Sequence, residues 1–175
     1  LPIILAGALL KLFSSKRLAT LGFTSAGFGL IFVGISMMQQ GMAGVENLVT
    51  PEQFPQDNWA GRLQLLLYGI LFTLITQSSS AGVATALTAL YAGAINFNQA
   101  AVLVIGMDVG TTVTAAMATI GTSINSRRTG FSHVIYNVFT AVGALILLTP
   151  FTLVYDLVFP NQITENPEIS LVAFH

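Results

Sequence analysis

Long apolar blocks make up most of this chain, and short polar interruptions separate them. Residues 1–18 begin with a short apolar segment and end in a basic loop, which predicts the end of a preceding helix followed by a cytoplasmic turn. Residues 19–45 carry no charge, and this segment is longer than the roughly 20 residues that a helix needs to cross a bilayer. They predict a spanning helix. Residues 46–61 are rich in acids and prolines and predict an outer loop.

Two apolar blocks in the middle of the chain are interrupted by small polar residues. Residues 63–76 and 81–92 flank the sequence Gln-Ser-Ser-Ser at 77–80, and each arm is short for a full crossing. This pattern predicts a re-entrant helical hairpin whose tip is the segment Gln77–Ser80. The segment Gly106–Thr112 interrupts the apolar run 99–120 in the same way, and it predicts a discontinuous helix.

The last third of the chain contains one more long apolar block. Residues 131–149 follow a basic pair and are long enough to span, and Pro150 is expected to stop this helix because proline lacks a backbone N–H donor. A polar tail covers residues 156–168. We expect residues 62–175 to form one repeat, truncated at its C-terminus.

Composition identifies the environment of these helices. Hydrophobic residues make up 54% of the chain and charged residues 7%, whereas a soluble domain has about 25% charged residues. The chain is therefore predicted to be an all-α integral membrane protein. It has no cysteine, so no thiolate metal site is available, and the net charge of −1 gives no reason to expect a nucleic-acid partner.

Charge placement gives a topology. Five of the six basic residues fall in two short loops, which the positive-inside rule places in the cytoplasm. These residues are Lys11, Lys16, Arg17, Arg127 and Arg128. One span, one hairpin and one broken helix between the two loops return the chain to the same side. Asp108 is then the one acid at membrane depth, and intramembrane acids usually serve ion pathways.

The polar interruptions have chemistry suited to ions. A helix that begins inside the membrane presents backbone N–H groups without intrahelical partners and the positive end of its dipole, so it can bind an anion. Ser78, Ser79 and Ser80 stand at such a start. Their hydroxyl oxygens can also bind a hard cation such as sodium. Thr111 and Thr112 offer the same groups at the second interruption, where Gly110 would let a ligand approach the backbone.

These residues resemble a known family. The sequence LITQSSSAGVATALTAL, followed by GMDVGTTVT and then by RRTGFSHVIYN, is similar to the second repeat of the sodium/phosphate cotransporter family (type II, bacterial-type member). The earlier GFGLIFVGISMM resembles the helix that leads into that repeat, and the closing AFH resembles the start of its final helix. The resemblance covers nearly the whole chain apart from the loop at residues 46–58.

The resemblance implies a transporter built from two inverted repeats that share one site. By position, Gln77, Ser78, Ser79 and Ser80 would contact substrate and ion, and Gly110, Thr111 and Thr112 would line the same cavity. His133 and Asn137 would belong to a supporting helix. No catalytic residue and no cofactor are implied, since sodium is a co-transported ligand.

The implied function is sodium-coupled symport of inorganic phosphate, or of a similar oxyanion, across the cell (inner) membrane. The implied partners are the lipid bilayer and the first repeat of the same protein, and a homodimer is one compatible assembly. One position departs from the family pattern, because Asp108 stands where the family has Asn. A carboxylate there could join a sodium site with Ser79, Ser80 and Thr112, could carry a proton, or could repel phosphate.

Two other classes of function are compatible with parts of the pattern. An ion channel or a structural membrane module would also need polar groups at membrane depth. An intramembrane serine hydrolase would use Ser79 or Ser80 with His133 as the base, but the chain has no G-x-S-G nucleophile turn and no acid near His133 in sequence. We therefore expect a transporter and not an enzyme.

Overall fold

A computed structural model describes residues 2–43 and 50–175, with the backbone alone for residues 42 and 43. The described residues form helices joined by turns and contain no strand, which confirms the all-α class. The helices are α1 (Pro2–Phe13), α2 (Lys16–Ala43), α3 (Trp59–Thr76), α4 (Ser79–Tyr91), α5 (Phe97–Met117), α6 (Ile124–Val158), α7 (Gln162–Glu165) and α8 (Pro167–Phe174). A 3-10 turn, Pro51–Gln53, precedes α3.

Four helices in the described part of the chain are long and apolar enough to cross a membrane, as a multi-pass membrane protein requires. The candidate spans are Lys16–Gly41, Trp59–Thr76, Phe97–Met117 and Ile124–Val158. The first agrees with the span predicted at residues 19–45, of which residues 44 and 45 lie outside the described residues. The helix α3 begins at Trp59, inside the predicted outer loop, and its 18 residues give it a length of about 27 Å.

The chain divides into two compact units between residues 44 and 45. In the first unit, α1 packs on α2 where Gly7 meets Gly22. A Cβ added to either glycine would lie 2.5 Å from the carbonyl oxygen of the other, so the absence of side chains allows this contact. The ammonium group of Lys11 lies 4.5 Å from the centroid of the Phe23 ring.

In the second unit, α5 is the central helix and packs against α3, α4, α6 and α8. Its buried residues form the centre of the hydrophobic core, which α6 and α8 complete through Leu148 and Leu171. Aromatic rings join the outer part of this core, with the ring centroids of Phe97 and Phe151 6.3 Å apart and those of Phe151 and Phe174 5.1 Å apart. The polar residues of α5 are therefore positioned by a well-packed helix.

Small residues let α3 and α5 approach closely. A Cβ on Gly106 would overlap the carbonyl oxygen of Leu66, and a Cβ on Gly69 would overlap that of Leu103. One turn further along, a Cβ on Gly110 would lie 2.8 Å from Thr73 Cβ. The spacing Gly106-x-x-x-Gly110 thus serves as a helix-packing motif.

The predicted break at Gln77–Ser80 is confirmed, because α3 ends at Thr76 and α4 begins at Ser79. With 13 residues, α4 is only about 20 Å long, which is short of a full crossing. Whether α3 and α4 form a re-entrant hairpin in the bilayer stays a prediction.

The predicted break at Gly106–Thr112 is wrong, because α5 is a continuous helix from Phe97 to Met117. The two glycines pack against α3, which holds this part of α5 in place. The threonine hydroxyls bond to carbonyl groups of the same helix, so their polarity does not compete with helix formation. The small polar residues that predicted an interruption are accommodated within the helix.

The prediction that Pro150 ends its helix is also wrong, because α6 runs on to Val158. Proline removes one backbone hydrogen bond, and this loss can bend a helix without ending it. On either side of Pro150, Leu148 is fully buried and Phe151 packs on the core. The packing of Leu148 and Phe151 on the core favours continuation of the helix.

Arg62, in the first turn of α3, bonds to α6 and to Asp57, and Asp57 bonds in turn to α5. Its Nε donates to Asp57 Oδ1 at 2.6 Å, and its two terminal nitrogens donate to the Leu145 carbonyl at 3.4 Å and to Thr149 Oγ1 at 3.1 Å. Asp57 Oδ2 also accepts from the side-chain amide of Asn98, at the start of α5, at 2.8 Å. Arg62 therefore ties α3 to the turn of α6 that precedes Pro150.

The segment before α3 is held by a second polar anchor. Gln99 completes a capping box with Asn96 at the start of α5, and its side-chain nitrogen donates to the Pro51 carbonyl at 2.8 Å. At the exposed end of this segment, a hydrogen bond with the Thr50 side chain lowers the pKa of Glu52, which favours the ionised carboxylate. The segment is thus fixed to α5 while its acid stays at the surface.

Replacing Arg62 with methionine should lower the free energy of unfolding by about 2 kcal/mol, because several bonds to a charged donor are lost and Asp57 loses its counter-ion. The Arg62 side chain is 12% exposed, so solvent compensates for little of this loss. Thermal unfolding of the detergent-solubilised protein measures the effect. The control is Arg127→Met at an exposed position of α6. Equal stability of the two variants would contradict the prediction.

Candidate functional site

Gln77 ends α3 in a conformation that turns the chain. Its φ of 56° lies in the left-handed region, which is uncommon outside glycine and is typical of the residue after a helix. Its backbone N–H donates to the Thr73 carbonyl at 2.8 Å, and its side-chain nitrogen donates to the Leu74 carbonyl at 2.6 Å. The amide of Gln77 thus caps the last carbonyl groups of α3.

Ser78 begins α4 as its N-cap. Its hydroxyl oxygen accepts from the N–H of Ala81 at 3.2 Å, and the hydroxyl of Thr76 lies 3.3 Å from its carbonyl oxygen. A serine cap of this kind stabilises a helix by about 1 kcal/mol. The first serine of the run therefore orients the helix start.

Ser79 and Ser80 occupy the first turn of α4, one half-buried and the other exposed. Within the described part of the chain, neither hydroxyl has a hydrogen-bond partner. The backbone N–H groups of a first helical turn also lack intrahelical acceptors, and the helix dipole places partial positive charge there. Two hydroxyls and two N–H groups are thus available to an oxyanion at one point of the structure.

The second polar cluster uses its hydroxyls differently. Thr111 Oγ1 donates to the Asp108 carbonyl at 2.5 Å, and Thr112 Oγ1 donates to the Val109 carbonyl at 2.7 Å. Thr112 is fully buried, and Thr111 is half-buried. Both hydroxyls have therefore committed their proton, and only their oxygen lone pairs are left for a cation.

The fold brings the helix ends that flank the break against Met107 and Gly110 of α5. Thr73 lies one turn before the break and contacts Gly110, and Gly82 lies one turn after it and contacts Met107. A Cβ on Gly82 would be 2.7 Å from Met107 Sδ. Residues one turn before and one turn after the serine-lined break therefore pack on Gly110 and Met107 of α5, and a site shared with Thr111 and Thr112 stays a prediction.

Asp108 lies on another face of α5, where it lines a groove of about 860 Å³. One carboxylate oxygen, Oδ2, is 3.4 Å from Nε2 of His175, just beyond the end of α8, and both side chains are 46% exposed. Helices α5, α6 and α8 supply the other lining residues. These are Val104, Ile105, Tyr136, Asn137, Phe139, Thr140, Ala141, Gly143, Ala144, Leu147, Phe151 and Phe174.

The predicted supporting residues, His133 and Asn137, contact each other on α6. The side-chain nitrogen Nδ2 of Asn137 donates to the His133 carbonyl at 3.0 Å and lies 3.3 Å from His133 Nδ1. His133 is exposed, whereas Asn137 is half-buried and lines the groove. These contacts fix the orientation of the Asn137 amide, and its oxygen is left to accept a hydrogen bond or to coordinate a cation.

The structure adds residues that the sequence did not single out. The Thr73 hydroxyl is buried beside Gly110 and has no hydrogen-bond partner among the described residues, which is uncommon for a buried polar group. In the sequence, Thr73 could have been noticed as a polar residue one helical turn before Gln77. His175 and Thr140 are brought to the groove by tertiary packing alone. No group of three or more His, Asp or Glu residues in the described part could hold a metal ion.

Comparison with known proteins gives two matches. The family model of the Na+/Pi-cotransporter matches residues 53–154. A protein of Bacillus subtilis (strain 168), named "Uncharacterized protein YqeW", is 28% identical over 176 residues. The match covers 98% of this chain and 54% of that protein, so the chain spans about half the length of this curated relative. No solved structure matches the chain significantly.

Proposed function

Since the chain belongs to the Na+/Pi-cotransporter family, we propose that the protein is a sodium-coupled symporter of inorganic phosphate in the cell (inner) membrane. The family is a transporter family, and the four apolar helices of this chain suit a multi-pass membrane protein.

The observation that carries the proposal is the helix break at Gln77–Ser80. The hydroxyls of Ser79 and Ser80 have no partner in the described part of the chain, and they stand at the positive end of the α4 dipole. Phosphate oxygens accept hydrogen bonds from hydroxyl and backbone N–H donors, and bonds to a charged acceptor are the stronger kind. Gln77 and Ser78 hold the two helix ends in place around this point.

Sodium would bind beside the phosphate through oxygen atoms. The Thr73 hydroxyl is buried beside Gly110 where α3 packs on α5, one turn from the break, and Thr112 is a second buried threonine on α5. Thr111, the residue before Thr112 on α5, is half-buried and would supply a further hydroxyl oxygen. A cation next to the bound anion reduces their combined charge, so the two ions favour each other's binding at membrane depth.

The remaining part of the protein would complete the site. The curated relative is about twice as long as this chain. We propose that the other part contains a second, inverted repeat with its own helix break, and that the two breaks meet near the middle of the bilayer, as in many secondary transporters. On this proposal, residues 62–175 alone bind phosphate weakly and do not transport it.

Uptake by the full-length protein in liposomes tests the proposal. Labelled phosphate uptake should saturate with phosphate concentration and should need an inward sodium gradient, so replacing sodium with choline should reduce it to the level of protein-free liposomes. Sulfate and nitrate at equal concentration should compete weakly with phosphate. Uptake that does not saturate and does not depend on sodium would instead support an ion channel. If phosphate is not taken up with either sodium or choline outside the liposomes, the proposal is refuted.

A further inference from the structure

The groove that contains Asp108 is lined by α5, α6, the end of α8 and His175, and none of residues 77–80 lines it. Gly106 and Gly110 face α3, and each is two positions from Asp108 in sequence. At about 100° per residue, the Asp108 side chain points about 160–200° around α5 from these glycines. Its carboxylate therefore faces α6 and α8, in agreement with the residues that line the groove.

Besides the phenol of the exposed Tyr136, three side chains bring oxygen atoms to this groove from two helices. Asp108 contributes a carboxylate from α5, and Asn137 and Thr140 contribute an amide and a hydroxyl from consecutive turns of α6. The Asn137 nitrogen is bonded to His133, and the Thr140 hydroxyl donates to the Tyr136 carbonyl at 2.6 Å. The hydrogen-bond donors of both residues are thus engaged within α6, and their oxygens are left as acceptors or ligands.

The charge of the groove suits a monovalent cation. Asp108 is the one acid among the lining residues, and most of the other walls are apolar. A single carboxylate balances a single positive charge, and a low-dielectric wall penalises any charge that is left unbalanced. Carboxylate, amide and hydroxyl oxygens are ligands of hard cations, whereas a calcium site usually has several carboxylates.

His175 contacts the same carboxylate. Its Nε2 lies 3.4 Å from Asp108 Oδ2, so one of the two carboxylate oxygens faces the imidazole. An imidazole nitrogen is a poor ligand for a hard cation, so an ion that binds Asp108 competes with His175 for it. The two side chains are about half exposed, so their contact is weak and can be displaced.

We propose that Asp108, Asn137 and Thr140 form a sodium site in the groove between α5 and α6, separate from the serine-lined break, and that bound sodium displaces His175 from Asp108. The inference rests on the proposed function for the choice of sodium as the ion. It assigns Asp108 to a site formed with α6, in place of one formed with Ser79, Ser80 and Thr112. Thr140 and His175 then act on sodium affinity without touching phosphate.

Thermal unfolding of the full-length protein in detergent, measured against sodium concentration without phosphate, tests this site directly. Choline chloride keeps the ionic strength constant, and a ligand that binds the folded state raises its unfolding temperature. Sodium should stabilise the wild-type protein in a saturable way. Asp108→Asn should raise the half-saturating sodium concentration at least about tenfold, because the charged ligand is lost. Thr140→Val, which keeps the shape of the side chain, should raise it several-fold.

The variant His175→Ala gives a prediction of opposite sign. Removing the competitor of sodium should lower the half-saturating concentration by up to about fivefold. The control is Asp156→Asn, which makes the same chemical change on α6 where the carboxylate accepts from the Asn161 N–H outside the groove. This control should leave the sodium titration unchanged.

Unchanged sodium titrations in both Asp108→Asn and Thr140→Val would overturn the inference, and so would a weaker sodium response in His175→Ala. If Asp108→Asn does not fold, Thr140→Val and His175→Ala still decide the question by their opposite signs. Phosphate uptake in liposomes separates this test from the proposed function. Sodium-driven uptake with no effect of these variants contradicts the groove site alone, whereas a sodium titration that responds to them in a protein without phosphate uptake contradicts the proposed substrate alone.

Discussion

Replacing Gly106 with alanine should push α3 and α5 apart and lower the free energy of unfolding by about 3 kcal/mol or more. A loss of this size is expected when an atom is forced into a packed interface. The added Cβ would overlap the carbonyl oxygen of Leu66 and would lie 3.0 Å from the carbonyl carbon of the same residue. These are backbone atoms of a neighbouring helix, so no side-chain rotation can relieve the overlap. The two helices would have to separate along their whole contact, which is the most extensive of the second unit.

Thermal unfolding of the purified protein and the yield of monodisperse protein measure this effect. The matched control is Gly143→Ala on α6, where an added Cβ meets nothing within 4 Å. Alanine favours helix over glycine by about 1 kcal/mol, so this control should be neutral or slightly stabilising. A Gly106→Ala protein as stable as the control would show that α3 and α5 are not in close contact.

Replacing both Ser79 and Ser80 with alanine should abolish measurable phosphate uptake while the protein still folds. Each hydrogen bond to a charged acceptor contributes about 1.5–3 kcal/mol, so each lost hydroxyl should weaken phosphate binding about ten- to hundredfold. Alanine is a good helix former, and neither hydroxyl has a partner in the described part of the chain, so α4 should keep its structure. The measurement is labelled phosphate uptake at saturating sodium, together with the unfolding temperature.

Single variants locate the effect within the run of serines. Ser78→Ala should mainly lower stability, by about 1 kcal/mol, because its hydroxyl caps α4. Ser132→Ala, at an exposed position of α6, controls for the loss of a serine hydroxyl elsewhere. Normal uptake by the Ser79→Ala and Ser80→Ala double variant would remove these residues from the phosphate site and leave the helix break as a structural feature.

The helix break at residues 77–80 could be predicted because its causes are local. Gln77 adopts a left-handed conformation and caps α3, and Ser78 caps α4, so the sequence of four residues encodes both helix ends. The sequence Gly106–Thr112 has a similar composition, yet it lies within a continuous helix. Glycine and threonine there are consistent with a break or with a packed helix, and the presence of α3 against Gly106 and Gly110 selects the second.

The environment of Asp108 could not be predicted for a similar reason. The family resemblance implied that its carboxylate could join a sodium site with Ser79, Ser80 and Thr112. The rotation of α5 is fixed by the glycines that face α3, and this rotation turns Asp108 toward α6 and α8. Its contact with His175 joins residues 67 positions apart in sequence, and no local pattern indicates such a contact.

The sequence by itself determined that this protein is helical and lies in a membrane, and it located the break at Gln77–Ser80 and the family motifs. These features depend on composition, on caps and on short spacings, which act within a few residues of one another. Only the tertiary structure decided that α5 is unbroken, that α6 continues past Pro150, and that Asp108 faces a groove away from the serines. In each case the free energy depends on which helix packs against the residues concerned, and that is a property of the assembled fold.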